Sequence, residues 1–572
     1  MRIEQFLKSK KTMEVMKMEK IRPLIRKVKG LPGTGKTTWM KNDLLNKLND
    51  GYELVEILFT SFSRATMKAV TDKLIDTGFK QDDVKKRCRT LHSFAARNLE
   101  LKKDNFVGAE HYEEFCKARG IPYKKFKVKT LEEIEKFGPV GEEYHDTEGN
   151  IIFKWFQLLK KACIYDKKVK EAILEMRYLT QEEMKRLSRH YSPRYLLQLY
   201  VEWEQIKHDN GLWEYDDMLQ YTVENTIPLF GELGETRCLY IDEAQDLSPL
   251  QFELIKLWSK NCREVILAYD PNQGIFYFNA ANPWLVSNLD GELIILPQSH
   301  RVPRQPWEYA TRIAEQLGER DMGNVKPRDV EGIVLFTSWE EPINLFTPSS
   351  KTFLLFRTHW QIEEFVDYCF KNGVYILGMG RFTTIFNSKR LRHIYNLVRK
   401  LYTGEPLNNH EIKTFINAIP ASHLRRGVKT EIRKMKSEQE LDSGIKTLAG
   451  FFNQDDTHSK FYSLFKRADE PDKIKGIVVD PKTKLSEQAK RIIESVTPKS
   501  LPVFTNIRAG TYFASKGLEA ENVFCFDFNP RRDANLRGEM SLAFVGTTRT
   551  TQNLYIVSRK DSYGGFIHDL VS

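Results

Sequence analysis

Short apolar runs alternate with amphipathic stretches near the start of the chain. Residues 24–28 read as a strand and 38–48 as a helix; 54–61 (LVEILFTS) is an apolar run of the buried-strand type, and 64–76 carries a helical period. Strand, helix, strand, helix predicts a doubly wound parallel sheet. Residues 95–209 are rich in Lys, Glu and aromatics, biased to helix and without a repeated strand pattern, which predicts an inserted, mostly helical domain. Strands return at 237–241 and 265–268. A second series follows, with strands at 332–336 and 352–356 and a helix over 361–370. It is interrupted by a polar, basic, helix-rich stretch over 405–500 and resumes with strands at 502–507, 522–526 and 553–557 and a helix near 540–546. The fold class expected is α/β, two parallel sheets each carrying a helical insertion. The boundaries expected are 1–94 and 210–300 for the first sheet domain around insertion 95–209, and 301–404 and 501–572 for the second around insertion 405–500. Residues 1–22, charged and Met-rich, read as a helix or loose arm.

Composition narrows the class. The 572 residues, 41% hydrophobic and 29% charged, suit a soluble globular protein with chain enough for about four domains. Lys+Arg 88 against Asp+Glu 77 gives +11 and a pI near 9.0, which favours a polyanionic partner. Seven scattered cysteines (Cys88, Cys116, Cys163, Cys238, Cys262, Cys369, Cys525) form no C-x-x-C and read as reduced thiols, not as a disulfide framework or zinc site. No apolar run approaches a membrane span, and the basic N-terminus (Lys8, Lys10, Lys11, Lys17, Lys20) lacks the apolar core of a signal peptide. A soluble, cytoplasmic protein without membrane attachment is expected, a virus-encoded or nucleoid-associated one included.

Specific chemistry enters at the first strand–helix turn. Gly30-Leu31-Pro32-Gly33-Thr34-Gly35-Lys36-Thr37 satisfies G-x-x-x-x-G-K-[ST]. Glycines let backbone N–H groups wrap around phosphates, and the following helix aims its positive N-terminus at them. Lys36 would set a charge on the β/γ-phosphates, and the Thr37 hydroxyl would ligate Mg²⁺. The strand at 237–241 runs into Asp242-Glu243-Ala244-Gln245-Asp246, the complement such a loop requires: Asp242 to hold Mg²⁺ and Glu243 to polarise the water attacking the γ-phosphate.

Further segments fall in a recognisable order. Ser61-Phe62-Ser63-Arg64-Ala65 looks like T-F-T-x-x-A, Arg89-Thr90-Leu91-His92-Ser93-Phe94 like T-F-H-S, and Trp213-Glu214-Tyr215-Asp216-Asp217-Met218-Leu219 like D-F-D-D-L-L. Ile241 to Gln251 (IDEAQDLSPLQ) resembles an acidic helicase motif through its length. Asp270-Pro271-Asn272-Gln273-Gly274-Ile275-Phe276-Tyr277-Phe278 resembles G-D-x-x-Q-S-I-Y-x-F/W, and Leu296-Pro297-Gln298-Ser299-His300-Arg301 resembles L-x-x-N-Y-R. Residues 511–519 (TYFASKGLE) resemble T-x-H-x-x-K-G-L-E, and 544–549 (FVGTTR) resemble Y-V-G-I-T-R. Over nearly its whole length the chain resembles the UvrD/Rep/PcrA-like DNA helicases of superfamily 1A.

That resemblance implies two RecA-like domains and an ATP-dependent motor moving 3′→5′ on single-stranded DNA and acting at single/double-strand junctions. ATP and Mg²⁺ are implied, with replication or repair proteins as partners and a monomer or weak dimer as the assembly. It gives Gln273 the γ-phosphate, Arg301 and Arg549 the part of arginine fingers, and Glu519 the ribose hydroxyls. Thr38 and His300 fall at the base end of the nucleotide. Phe62, His92, Phe276 and Phe278 would line a strand groove in which stacking suits every base. The chain departs from the family in lacking the adenine-reading Gln before the loop, in Thr38 for Arg and His300 for Tyr at the base, and in Asn279, Phe513 and Met540 where Arg, His and Arg are usual. The second insertion is shorter than the family's, and no nuclease or further module is expected after Arg549. Basic clusters, Lys389, Arg390, Arg392, Arg399 and Lys400, then Arg425, Arg426, Lys429, Arg433, Lys434 and Lys436, read either as a phosphate-tracking surface or as solvated helix faces. A translocase that strips proteins without unwinding, a DNA-binding protein with a dead motor, and an RNA helicase stand as alternatives.

Overall fold

The structure is a computed structural model that describes residues 22–61, 64–124, 147–164, 167–229, 236–318, 322–380, 382–403, 409–418, 426–430, 503–530, 535–560 and 564–571. The chain divides into two compact units, Met1–His300 with Leu317–Pro327 and Arg531–Ser541, and Arg301–Gln316 with Arg328–Pro530 and Leu542–Ser572. Among the described residues no helix is long and apolar enough to cross a membrane.

The first unit holds a five-stranded sheet in the order β2-β3-β4-β1-β5, parallel at every pairing: β1 (Leu24–Lys29), β2 (Ile57–Ser61), β3 (Cys238–Asp242), β4 (Glu264–Tyr269) and β5 (Glu292–Ile295). β2, β3 and β4 are buried at every position, as unbroken apolar runs are when both faces of a parallel sheet are covered. Their side chains alternate between two cores. Tyr240 and Ile266 pack with Met40, Leu44 and Val70 on one face; Leu239, Ile241 and Leu267 pack with Phe94, Met218, Leu254 and Trp258 on the other. β5 was not expected from the sequence, since four residues with Leu293 and Ile295 exposed at a sheet edge give no readable period.

Between helices Leu91–Asn98 and Tyr215–Glu224, the described residues are mostly helical, the long members being Glu148–Lys161 and Pro193–Asn210. Their aromatic core includes Trp155, Phe156 and Trp203. A buried ionic hub ties these helices to the segment that follows. Lys160 and Lys207, 0% and 2% exposed, meet Glu204, Glu214 and Asp217; Lys207 Nζ lies 2.9 Å from Glu214 Oε2 and 2.6 Å from Asp217 Oδ2. Tyr112 Oη donates to Glu214 Oε1 at 2.7 Å. Burial works to raise the Glu214 pKa, but the ammonium groups of Lys207 and Lys160 outweigh it and hold the carboxyl well below its usual range. A depressed folded-state pKa gives stability that is fully present above the unfolded value, about 4.3, and is lost as pH falls below it. Glu214→Gln leaves buried ammonium charge under-compensated and should cost about 3 kcal/mol at neutral pH. Urea denaturation checks this, and the variant should also lose part of the wild-type decline in stability on acidification.

The second unit holds a six-stranded sheet, again parallel at every pairing, in the order β6-β11-β10-β7-β9-β8. The strands are β6 (Ile333–Thr337), β7 (Thr352–Phe356), β8 (Ile376–Gly378), β9 (Phe504–Thr511), β10 (Ala520–Phe526) and β11 (Thr550–Val557). Its core stacks Phe356 on Phe526 at 4.0 Å and Phe524 on Tyr555 at 4.2 Å. β9 runs to Thr511, past the expected end at 507, and the three-residue β8 was not expected. The two parallel sheets are those the strand–helix alternation predicts, and they are RecA-like domains, as the resemblance implies. Most of 405–500 lies outside the described residues, as do Phe62, Arg425, Arg433, Lys434 and Lys436; helix Asn409–Ala418 is the longest described piece of that stretch.

Candidate nucleotide and strand-binding site

In a parallel sheet the carboxyl ends of the strands form the binding edge. In the first sheet β1 and β3 flank β4, so the loop after β1, the acids after β3 and the turn after β4 arrive side by side. The phosphate loop spans from β1 to helix Lys36–Asn49, whose N-cap Gly35 has φ 81°, a left-handed conformation that a side chain would strain. Gly30 permits a close approach: a Cβ there would lie 2.3 Å from Lys36 Cγ. Lys36 Nζ donates to the Gly30 carbonyl at 2.6 Å, and Thr34 Oγ1 donates to Leu31 O at 2.9 Å. The loop is braced from behind, where buried Ser299 Oγ donates to Pro32 O at 2.7 Å and His300 N–H to Gly33 O at 2.9 Å.

Thr37 Oγ1 donates to Asp242 Oδ2 at 3.0 Å. Burial, with the neighbouring Glu243 charge, raises the fully buried Asp242 to about 6 against the opposing effects of Lys36 and the Thr37 bond. A hydroxyl beside a carboxylate is the hard-oxygen donor set that suits Mg²⁺. Glu243 has φ 55°, rare for a side-chain-bearing residue, and its N–H bonds Asp242 Oδ1 at 2.9 Å. Gln245 Nε2 donates to Glu243 Oε2, while Gln245 Oε1 accepts from Asp270 N–H at 3.0 Å. Gln273 Nε2 donates to buried Asp270 Oδ2. One polar chain thus runs Glu243–Gln245–Asp270–Gln273 across the ends of β3 and β4.

Thr38 is exposed in the first helical turn, and His300 is exposed beside the loop. In the second unit Arg301 Nε bonds Glu519 Oε2 at 2.8 Å, and buried Arg549 donates from Nε to Val545 O at 2.8 Å. Among the strand-groove candidates, His92 is half-buried on helix Leu91–Asn98. Phe276 and Phe278 are half-buried on the turn after Gln273, ring centroids 5.9 Å apart.

Residues 25–293, which hold most of this first sheet and its insertion, match the family model for the UvrD/REP helicase N-terminal domain. They belong to the UvrD/REP helicase family. Over 206 residues the chain is 25% identical to proteins named ATP-dependent DNA helicase UvrD2 from Mycobacterium tuberculosis and Mycobacterium bovis, covering 31% of this chain and 29% of each relative. The chain therefore spans well under two thirds of these curated relatives.

Two polar groups of the first unit carry more than the sequence indicated. Gln245 sits inside the acidic motif, yet its part depends on Asp270, 25 residues later, so no local signal distinguishes it. Ser299 braces the loop from 267 residues away. With Glu243 in its expected role toward the attacking water, Gln245→Ala should leave its carboxylate unaimed and lower steady-state ATP turnover roughly tenfold, with little change in KM.

Proposed function

We propose that the chain is an ATP-dependent DNA helicase that translocates 3′→5′ on single-stranded DNA and couples ATP hydrolysis to unwinding. The observation that carries this reading is the Thr37–Asp242 contact at 3.0 Å on the binding edge of a UvrD/REP N-terminal domain. Backbone N–H groups of Gly33 to Thr37 and the Lys36 ammonium bind the phosphates. Thr37 and Asp242 hold Mg²⁺, which when bound neutralises charge on the phosphate oxygens. Glu243 accepts the proton of the attacking water, and the Gln273 amide reads the γ-phosphate. Arg301 and Arg549 stabilise the transferring phosphoryl charge, and Glu519 takes the ribose hydroxyls. Thr38 and His300 lie at the base end, and Phe62, His92, Phe276 and Phe278 stack bases. The partition proposed is 1–94 and 210–300 around insertion 95–209, then 301–404 and 501–572 around 405–500. A cytoplasmic setting with replication or repair partners fits the same reading.

ATP turnover measured with and without single-stranded DNA tests it, with single-stranded RNA as comparison. Stimulation by DNA, then displacement of 3′-tailed but not 5′-tailed duplexes, is expected. ATP turnover without displacement would leave a translocase, stimulation by RNA alone an RNA helicase, and no turnover a dead motor.

A further inference from the structure

His92 and the Phe276–Phe278 pair come from segments far apart in sequence, and a short line of polar contacts joins them. Asp216, 5% exposed on helix Tyr215–Glu224, lies at its centre. Its Oδ1 is 3.4 Å from His92 Nε2 and its Oδ2 is 3.8 Å from Lys161 Nζ. Lys161 Nζ in turn donates to Asn279 Oδ1 at 2.5 Å, and Asn279 directly follows Phe278 in the turn Tyr277–Asn279. Lys161 ends helix Glu148–Lys161, so the bridge passes through the helical segment between the first and second parts of the sheet.

This contact line differs from an exposed ion pair. Burial opposes ionisation of Asp216, but the Lys161 charge and the His92 bond outweigh it and keep the carboxylate charged. A buried carboxylate set between two partners is costly to leave half-paired. Tyr215 adds an edge contact to His92 and stacks on Phe106 at 5.2 Å, fixing the other side of the imidazole. Platforms that stack successive bases must keep their spacing to within about half an ångström.

We propose that Lys161 and Asp216 are positioning residues that set the spacing between His92 and the Phe276–Phe278 pair, so that the helical segment controls grip on a single strand. This rests on the strand-binding reading above. Lys161 acts through Asn279 and Asp216, not as a phosphate contact. The test uses the full chain, a fluorescein-labelled oligo-dT strand and strand-stimulated ATP turnover. Lys161→Met and Asn279→Ala should each weaken oligo-dT binding on the order of tenfold, and the double variant no further, because residues of one hydrogen-bonded network are non-additive. Strand-free ATP turnover and the salt slope of binding should stay at wild-type values in both, as should the thermal midpoint of Asn279→Ala; Lys161→Met should lower its midpoint by leaving Asp216 half-paired, and Lys161→Arg should recover most of the affinity.

Wild-type affinity in both single variants would overturn the proposal, as would a loss of affinity in Asn279→Ala that comes with a lowered thermal midpoint. So would a salt slope reduced by about one in Lys161→Met with Asn279→Ala unchanged, the mark of a phosphate contact. Wild-type protein that neither binds oligo-dT nor responds to it would overturn the strand-binding reading itself, and the positioning role with it.

Discussion

Replacing Glu243 by glutamine should lower ATP turnover by roughly 10²–10⁴-fold, the usual worth of a positioned general base, while Mg²⁺–ATP still binds. Glutamine keeps the shape of glutamate and removes its basicity. The backbone N–H bond to Asp242 at 2.9 Å does not depend on the side chain, so the turn with φ 55° survives. Such a left-handed turn at a non-glycine residue costs on the order of 1–3 kcal/mol and persists because β3 and the Gln245 bridge over-determine it. The Glu243 carboxylate of that turn is held by Gln245 Nε2. Nucleotide binding followed by fluorescence and single-turnover hydrolysis followed by quench would separate binding from chemistry. Binding should stay within about threefold of wild type, since the lost function belongs to the transition state. Turnover close to wild type would mean that another group takes the proton.

The parts legible in the sequence are those whose physics is local. The phosphate loop announces itself because glycine spacing, lysine and threonine must be adjacent to do their work, and Asp242-Glu243 follow an apolar strand for the same reason. The long buried strands were visible as unbroken apolar runs. β5 and β8, of four and three residues, are too short to show a period. Nothing in a stretch rich in Lys and Glu singles out Lys160 and Lys207, yet both are buried, held by Glu204 and by Glu214 and Asp217 of the following segment. The Arg301–Glu519 pair joins residues 218 positions apart, a pairing that no window of sequence contains. Lys161 was hidden similarly: its contacts are to Asp216 and to Asn279, a position noted in the sequence only as a departure from the family.

Lys36→Ala should reduce ATP turnover by roughly 10²–10³-fold or more, the penalty for removing one preorganised charge from a developing transition state. It should weaken ATP binding as well, because in the proposed site the ammonium would contact phosphate in ground and transition states alike. The fold should tolerate the change. Thr37 keeps its bond to Asp242, Ser299 and His300 still brace the loop, and Lys36 is only partly buried. The space its stem fills beside Gly30 is tight, with an added Cβ meeting Cγ at 2.3 Å, so Lys36→Arg should not restore activity: a planar fork is bulkier than a point ammonium in the same cradle. Nucleotide-free binding of oligo-dT should be unchanged, since the loop and the His92 and Phe276–Phe278 segments are separate groups. Unwinding and strand-stimulated turnover should vanish together. The decisive comparison is turnover in Lys36→Ala against wild type at saturating strand and nucleotide. Equal rates would show that the measured hydrolysis does not come from this loop, and the motor reading would fall.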